Sequence, residues 1–83
     1  MANKQELKTS EARILVYLDI TIHENKYVSQ IAAKLDMSIN YTNHILKVME
    51  AKKWITADIY PKKTYYKLTK QAPITKAKEE LTK

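Results

Sequence analysis

Residues Tyr27 to Ile55, YVSQIAAKLDMSINYTNHILKVMEAKKWI, read as two helices joined by a short turn. Ser29 is placed to cap the first helix, because a serine hydroxyl accepts from an unpaired amide of the first turn. Ile31, Ala32 and Leu35 follow at helical spacing. Asp36-Met37 breaks the pattern, and Ser38 offers a second cap. A longer helix then runs to Lys52, with Ile45, Leu46, Val48 and Met49, and Thr42 one turn earlier, on a core face and its flank. The remainder is Ile39, Asn40, Tyr41, Asn43, His44 and Lys47: polar, basic and aromatic, with no acid before Glu50. Such a surface suits a helix that enters a DNA major groove, where side-chain donors and acceptors meet base edges.

Outward from this pair, residues 1–9 are polar and expected to fray, and 10–83 form one domain. Ser10 is the expected cap of a first helix reaching His23, with Glu11 favouring its N-terminus. Ile14, Leu15, Leu18 and Ile22 share one face of that helix. Ala12, Val16 and Ile20 share another, too apolar for plain solvent. A polar connector follows, and Tyr27-Val28 suits a very short strand.

From Trp54 the period changes to two. Ile55, Ala57 and Ile59 point one way, and Trp54, Thr56 and Asp58 the other. Pro61 marks a turn with Lys62 and Lys63 at its tip. In the second strand, Thr64 to Thr69, Tyr66 and Leu68 face in, and Tyr65 and Lys67 face out. Residues 54–69 are thus a β-hairpin with a basic tip. Residues 72–82 form a last helix, with Ile74, Ala77 and Leu81 on one face. So short a helix must dock on something. The stripe Ala12, Val16 and Ile20 is the candidate, within one chain or across a homodimer, which makes these six residues the expected dimer contacts.

The 83 residues carry a net charge of +6. Residues 1–46 are balanced, whereas residues 47–83 hold ten lysines against four acids. The whole excess lies in the second half, which suggests a polyanion-facing side; the plainer reading is a lysine-rich surface of the kind found in thermophiles. There is no cysteine, hence no disulfide and no thiolate metal site. No run of about 18 apolar residues suggests a membrane span, and MANKQELKTS lacks the apolar core of a signal peptide. An intracellular, cytoplasmic protein is therefore expected. Absence of glycine, against an average near 7%, together with abundant Lys, Ile and Tyr, suits a heat-tolerant source.

The order helix, helix, helix, hairpin, helix resembles the winged helix-turn-helix family, in the style of the small MarR- and PadR-like regulators of bacteria, archaea and archaeal viruses. The residues that carry the likeness are Ile14-Leu15-x-x-Leu18, Ile31-Ala32-x-x-Leu35-x-Met37-Ser38, Thr42-x-x-Ile45-x-x-x-Met49-Glu50 with Trp54-Ile55, and Tyr66-x-Leu68-Thr69. The family usually has glycine where Lys53 and Ala72 stand; either Lys53 adopts a left-handed conformation in its place or the helix ends differently. The resemblance implies a mainly α fold with a small β wing and a DNA-binding function. One subfamily binds left-handed Z-DNA, but it has a tyrosine where Lys47 stands and a Pro-Pro-x-Trp wing absent from this sequence.

On this reading Asn40 and Asn43 pair with adenine edges, and Lys47 reaches guanine, with Tyr41 and His44 beside them. Ser38 with its helix N-terminus, and Gln30, hold phosphates. Lys62 and Lys63 reach flanking phosphates or the minor groove, buttressed by Tyr60 or Tyr65. The expectation is a transcription regulator that binds double-stranded DNA as a homodimer. The alternatives are a protein-interaction module on the same scaffold, or a non-specific DNA-coating protein. An enzyme is not expected: without glycine there is no phosphate-binding loop or dinucleotide fingerprint, and His23 and His44 lack further ligands for a zinc site. No cofactor is expected.

Overall fold

The computed structural model describes residues 7–22, 24 and 26–82. The elements follow in the order α1 (Thr9–Ile20), β1 (Lys26–Tyr27), α2 (Val28–Leu35), α3 (Ile39–Ala51), β2 (Ile55–Ile59), β3 (Thr64–Leu68) and α4 (Ile74–Leu81). The three strands form an antiparallel sheet in the order β1-β3-β2, with Tyr27 opposite Tyr65 and Ala57 opposite Tyr66. Helices α1, α2 and α3 enclose a core of Ile14, Leu15, Ile31, Leu46 and Met49, closed by Trp54, Ile55 and Tyr66.

The helix starts differ from the expected serine caps. Helix α1 begins after Lys8, whose amide donates to Glu11 Oε1 at 2.9 Å. Helix α2 begins after Tyr27, whose amide donates to Gln30 Oε1 at 3.1 Å. In both, an acceptor side chain three residues into the helix reaches back, the half of a capping box that needs no hydroxyl. Ser38 caps α3 as expected, its Oγ accepting from the Tyr41 amide at 3.1 Å.

Two helix ends show how a chain without glycine turns. Asp36 (φ 58°) and Lys53 (φ 68°) are left-handed. Around each, two amides return to the last helical turn: Met37 to Ala32 O and Asp36 to Ala33 O, then Trp54 to Met49 O and Lys53 to Glu50 O. These are Schellman motifs, the usual place for glycine. The second turns Trp54 inward, so that Trp54 and Ile55 are both buried rather than opposed.

Helix α4 docks on α1 of the same chain. Ala12 and Ala77 are fully enclosed there, so neither is available to a second subunit in this conformation. The Lys78–Asp19 pair at 3.4 Å ties the far ends of the two helices. Ile22 was expected in the core but is exposed, because α1 stops at Ile20; His23 lies outside the described residues, as do residues 1–6 of the stretch expected to fray. Leu7 packs against the core, and Lys8 and Thr9 open α1. Glu11 is buried and holds Lys52 Nζ at 2.8 Å, joining the start of α1 to the end of α3. Lys52 also lies 4.4 Å from the centre of the Trp54 ring. Among the described residues, no helix is long and apolar enough to cross a membrane.

Candidate nucleic-acid interface

Helix α3 is amphipathic, and its two faces fall where the periodicity places them. Thr42, Ile45, Leu46 and Met49 are buried. Asn40, His44 and Lys47 are exposed in one stripe, one turn apart, and Asn43 is half-buried beside them. Ile39 and Tyr41 are exposed at the start of the helix. The Tyr41 hydroxyl donates to Ser10 Oγ at 3.2 Å, so this side chain leans toward α1 while its ring stays open to solvent. Ser38 accepts from the helix amide and keeps its own hydrogen to donate. Gln30 uses its amide oxygen as a cap, which leaves its NH2 group as the donor for a ligand.

The hairpin β2–β3 stands beside α3. Its base is fixed by Thr69, whose amide donates to Trp54 O at 2.9 Å and whose hydroxyl donates to Lys53 O at 2.6 Å. Its tip closes with the Tyr60 amide on Lys63 O at 2.8 Å, around Pro61 and Lys62. Between hairpin and helices lies an open cleft of about 490 Å3, lined by Ser29 of α2, Asn43 of α3 and Lys62, Lys63 and Thr64 of the wing. The structure thus brings Asn43 and both wing lysines to one cleft, while Asn40, His44 and Lys47 remain on the open side of α3.

The wing rests on three tyrosines, Tyr27 as well as Tyr60 and Tyr65. Lys63 Nζ sits 3.7 Å from the centre of the Tyr27 ring, a cation–π contact that ties the tip to the start of α2. Tyr65 meets Tyr27 edge-on at 5.9 Å and Tyr60 at 5.6 Å. Tyr65 is therefore half-buried inside an aromatic row and supports the wing from within. The sequence placed Tyr27 only in a very short strand; its contact with the wing was not legible, because its pairing with β3 links segments far apart in the chain.

Part of the second-half charge is taken up by acids of the same chain. Of the ten lysines after residue 46, Lys52, Lys67 and Lys78 hold Glu11, Asp58 and Asp19. Near β1, Lys26 bonds Glu24 at 2.7 Å; that hydrogen bond holds the glutamate carboxyl below its usual range and raises the lysine. The chain's single arginine, Arg13, donates to Leu35 O at 2.5 Å at the end of α2 and is a structural clamp. Among the described residues, no group of three or more His, Cys, Asp or Glu side chains is placed to hold a metal.

Across 95% of its length the chain superposes on MepR, a transcription regulator of the Staphylococcus aureus multidrug efflux pump MepA, with a TM-score of 0.80. It has the winged helix-turn-helix fold. Identity to MepR is 18%, over 58% of that protein. The winged helix also matches a point mutant of Lactococcus lactis ZitR, at 24% identity and a TM-score of 0.75, over 99% of this chain and 56% of that one. AF1382 from Archaeoglobus fulgidus matches at 20% identity and a TM-score of 0.68, over 96% of this chain and 85% of that one. The chain thus spans little more than half the length of MepR and ZitR. Neither a family model nor a curated protein matches the sequence.

Proposed function

We propose that this winged helix is a DNA-binding transcription regulator, working inside the cell as a homodimer, with α3 in the major groove and the wing on the neighbouring minor groove. One observation carries the reading: Asn43 of α3 and Lys62 and Lys63 of the wing line one cleft. Major and minor grooves are separated by a single sugar–phosphate strand, and a strand lying in this cleft would meet Ser29, Thr64 and the wing lysines while the stripe Asn40, His44 and Lys47 faced base edges. Ser38 and the start of α3 supply further donors for phosphate. Tyr41 contributes its exposed ring, with Tyr65 acting through the position of the wing.

For the homodimer, the support is the apolar surface left over after α4 has docked. Ile20 is 74% exposed and Leu81 38%, at the ends of α1 and α4 that the Lys78–Asp19 pair holds together, with Val16 and Ile74 half-buried beside the docked helices. Two-fold pairing would set the α3 helices about 34 Å apart, one turn of DNA.

The test is selection of bound duplexes from a random library by wild-type protein and by Asn43→Ala. Wild type should enrich a pseudo-palindromic site. Asn43→Ala should lose about 1–3 kcal/mol of discrimination at the position it reads. An unenriched pool would leave the wild type a non-specific coat protein.

A further inference from the structure

The wing tip bears an apolar surface that phosphate contacts leave unused. Ile59 is 80% exposed, the largest value for any big apolar side chain among the described residues. It stands opposite Thr64, so it lies on the same side of the hairpin as Ala57 and Ile55. Along that side Ile55 is buried, Ala57 is half-buried and Ile59 is open, because the hairpin runs out past the core. Packing does not hold an isoleucine there, and exposed strand ends more often carry charged or polar residues. Tyr60 and Pro61, next in the chain, are exposed as well.

The opposite face of the hairpin is braced. Tyr65 touches Tyr27 and Tyr60, and Lys63 rests on Tyr27. The hairpin is thus clamped on one face and presents a bare aliphatic side chain on the other. Its surroundings are cationic: Lys62 and Lys63 flank the apolar residues, and Asp58, the hairpin's single acid, is paired with Lys67 at 3.1 Å.

We infer that the wing tip is a minor-groove wedge. Ile59, with Pro61 behind it, enters between two base pairs and kinks the duplex, while Lys62 and Lys63 hold the phosphates on either side. The inference rests on the proposed DNA reading of α3 and the wing. Apolar side chains that enter the minor groove partly unstack a base step and bend DNA by roughly 20–90°. Unstacking resists the wedge, so the hairpin must be stiffer than the step; the tyrosine row supplies that stiffness. The wedge also selects sequence without hydrogen bonds to bases, since pyrimidine–purine steps kink readily and A-tracts do not.

The experiment measures end-to-end energy transfer in doubly labelled duplexes of about 30 base pairs. Each carries the selected site, with either a TA step or an A-tract under the wing. Wild type should shorten the TA duplex and prefer it about tenfold over the A-tract. Ile59→Ser, checked for a native helical spectrum, should leave the bound duplex straight and abolish that preference. Lys62→Ala with Lys63→Ala should weaken both duplexes while the bound TA duplex remains bent. A duplex that wild type binds but does not bend, or an equal bend with Ile59→Ser, overturns the wedge and leaves the DNA reading standing. Absence of binding to either duplex overturns both. Ile59-dependent binding to anionic phospholipid vesicles, with DNA bound unbent, would assign the tip to a lipid surface instead.

Discussion

Replacing Lys53 with glycine should make the protein more stable. Lys53 sits at φ 68°, where a side chain with a Cβ crowds the following carbonyl, at a cost of about 1–2 kcal/mol. Glycine removes that strain but gains freedom in the unfolded chain, worth about 0.5–1 kcal/mol against it. The backbone bonds at this position, from the Lys53 amide to Glu50 O and from the Thr69 hydroxyl to Lys53 O, survive the change. The net gain is then about 0.5–1 kcal/mol, which raises the Tm of a domain this size by about 2–8 °C. Lys53→Ala is the control, since it removes the same charge and the same exposed side chain while keeping the Cβ. Thermal and urea melts followed by circular dichroism should place Lys53→Gly above both wild type and Lys53→Ala. If glycine were no better than alanine, the left-handed residue would not be a source of strain, and the end of α3 would be relaxed with its lysine in place. Asp36→Gly should gain less, because aspartate tolerates the left-handed region better.

Three further outcomes follow from named contacts. Lys52→Met leaves the buried Glu11 charge without its cationic partner and should cost about 3 kcal/mol in urea unfolding, whereas adding Glu11→Gln, which is neutral and keeps an oxygen for the Lys8 amide, should recover most of it. Burial, with the charge of Glu50 adding to it, holds the Tyr66 hydroxyl above its ordinary value of 10.0. A group kept neutral in the folded state contributes stability that is intact below the unfolded pKa and lost as pH rises through the folded one. Urea midpoints at about pH 9 and about pH 11 should therefore fall less for Tyr66→Phe than for wild type. Lys62→Ala with Lys63→Ala should weaken binding to all duplexes alike and lower the slope of log K against log salt by about one or two, as read by fluorescence titration.

The element order and the two faces of α3 were legible because both rest on local periodicity, which the core at Thr42, Ile45, Leu46 and Met49 reproduces. Ser38 was legible for the same reason. The caps of α1 and α2 were not, because attention falls on a hydroxyl at the first position while Glu11 and Gln30 act from the third. The left-handed conformation of Lys53 was legible only through the likeness to chains that carry glycine there. What the sequence concealed was long-range. The charge of the second half is partly neutralised, since Lys52 and Lys78 pair with acids of α1, far away in the sequence. The support of the wing passes through Tyr27, on a strand that pairs with β3 across most of the fold. Ile59 has the period of an inward residue, and only the reach of the hairpin beyond the core makes it exposed. The stripe on α1 was correctly apolar; that α4 of the same chain covers Ala12 is a matter of tertiary docking.

The DNA reading stands or falls on a titration of fluorescent random-sequence duplex with the whole chain at about 50 and about 200 mM salt, with light scattering for mass. Binding that weakens steeply, log K dropping by several units per unit of log salt, in a complex of dimer mass, is the expected result. Absence of binding at the lower salt, or affinity indifferent to salt, would contradict it.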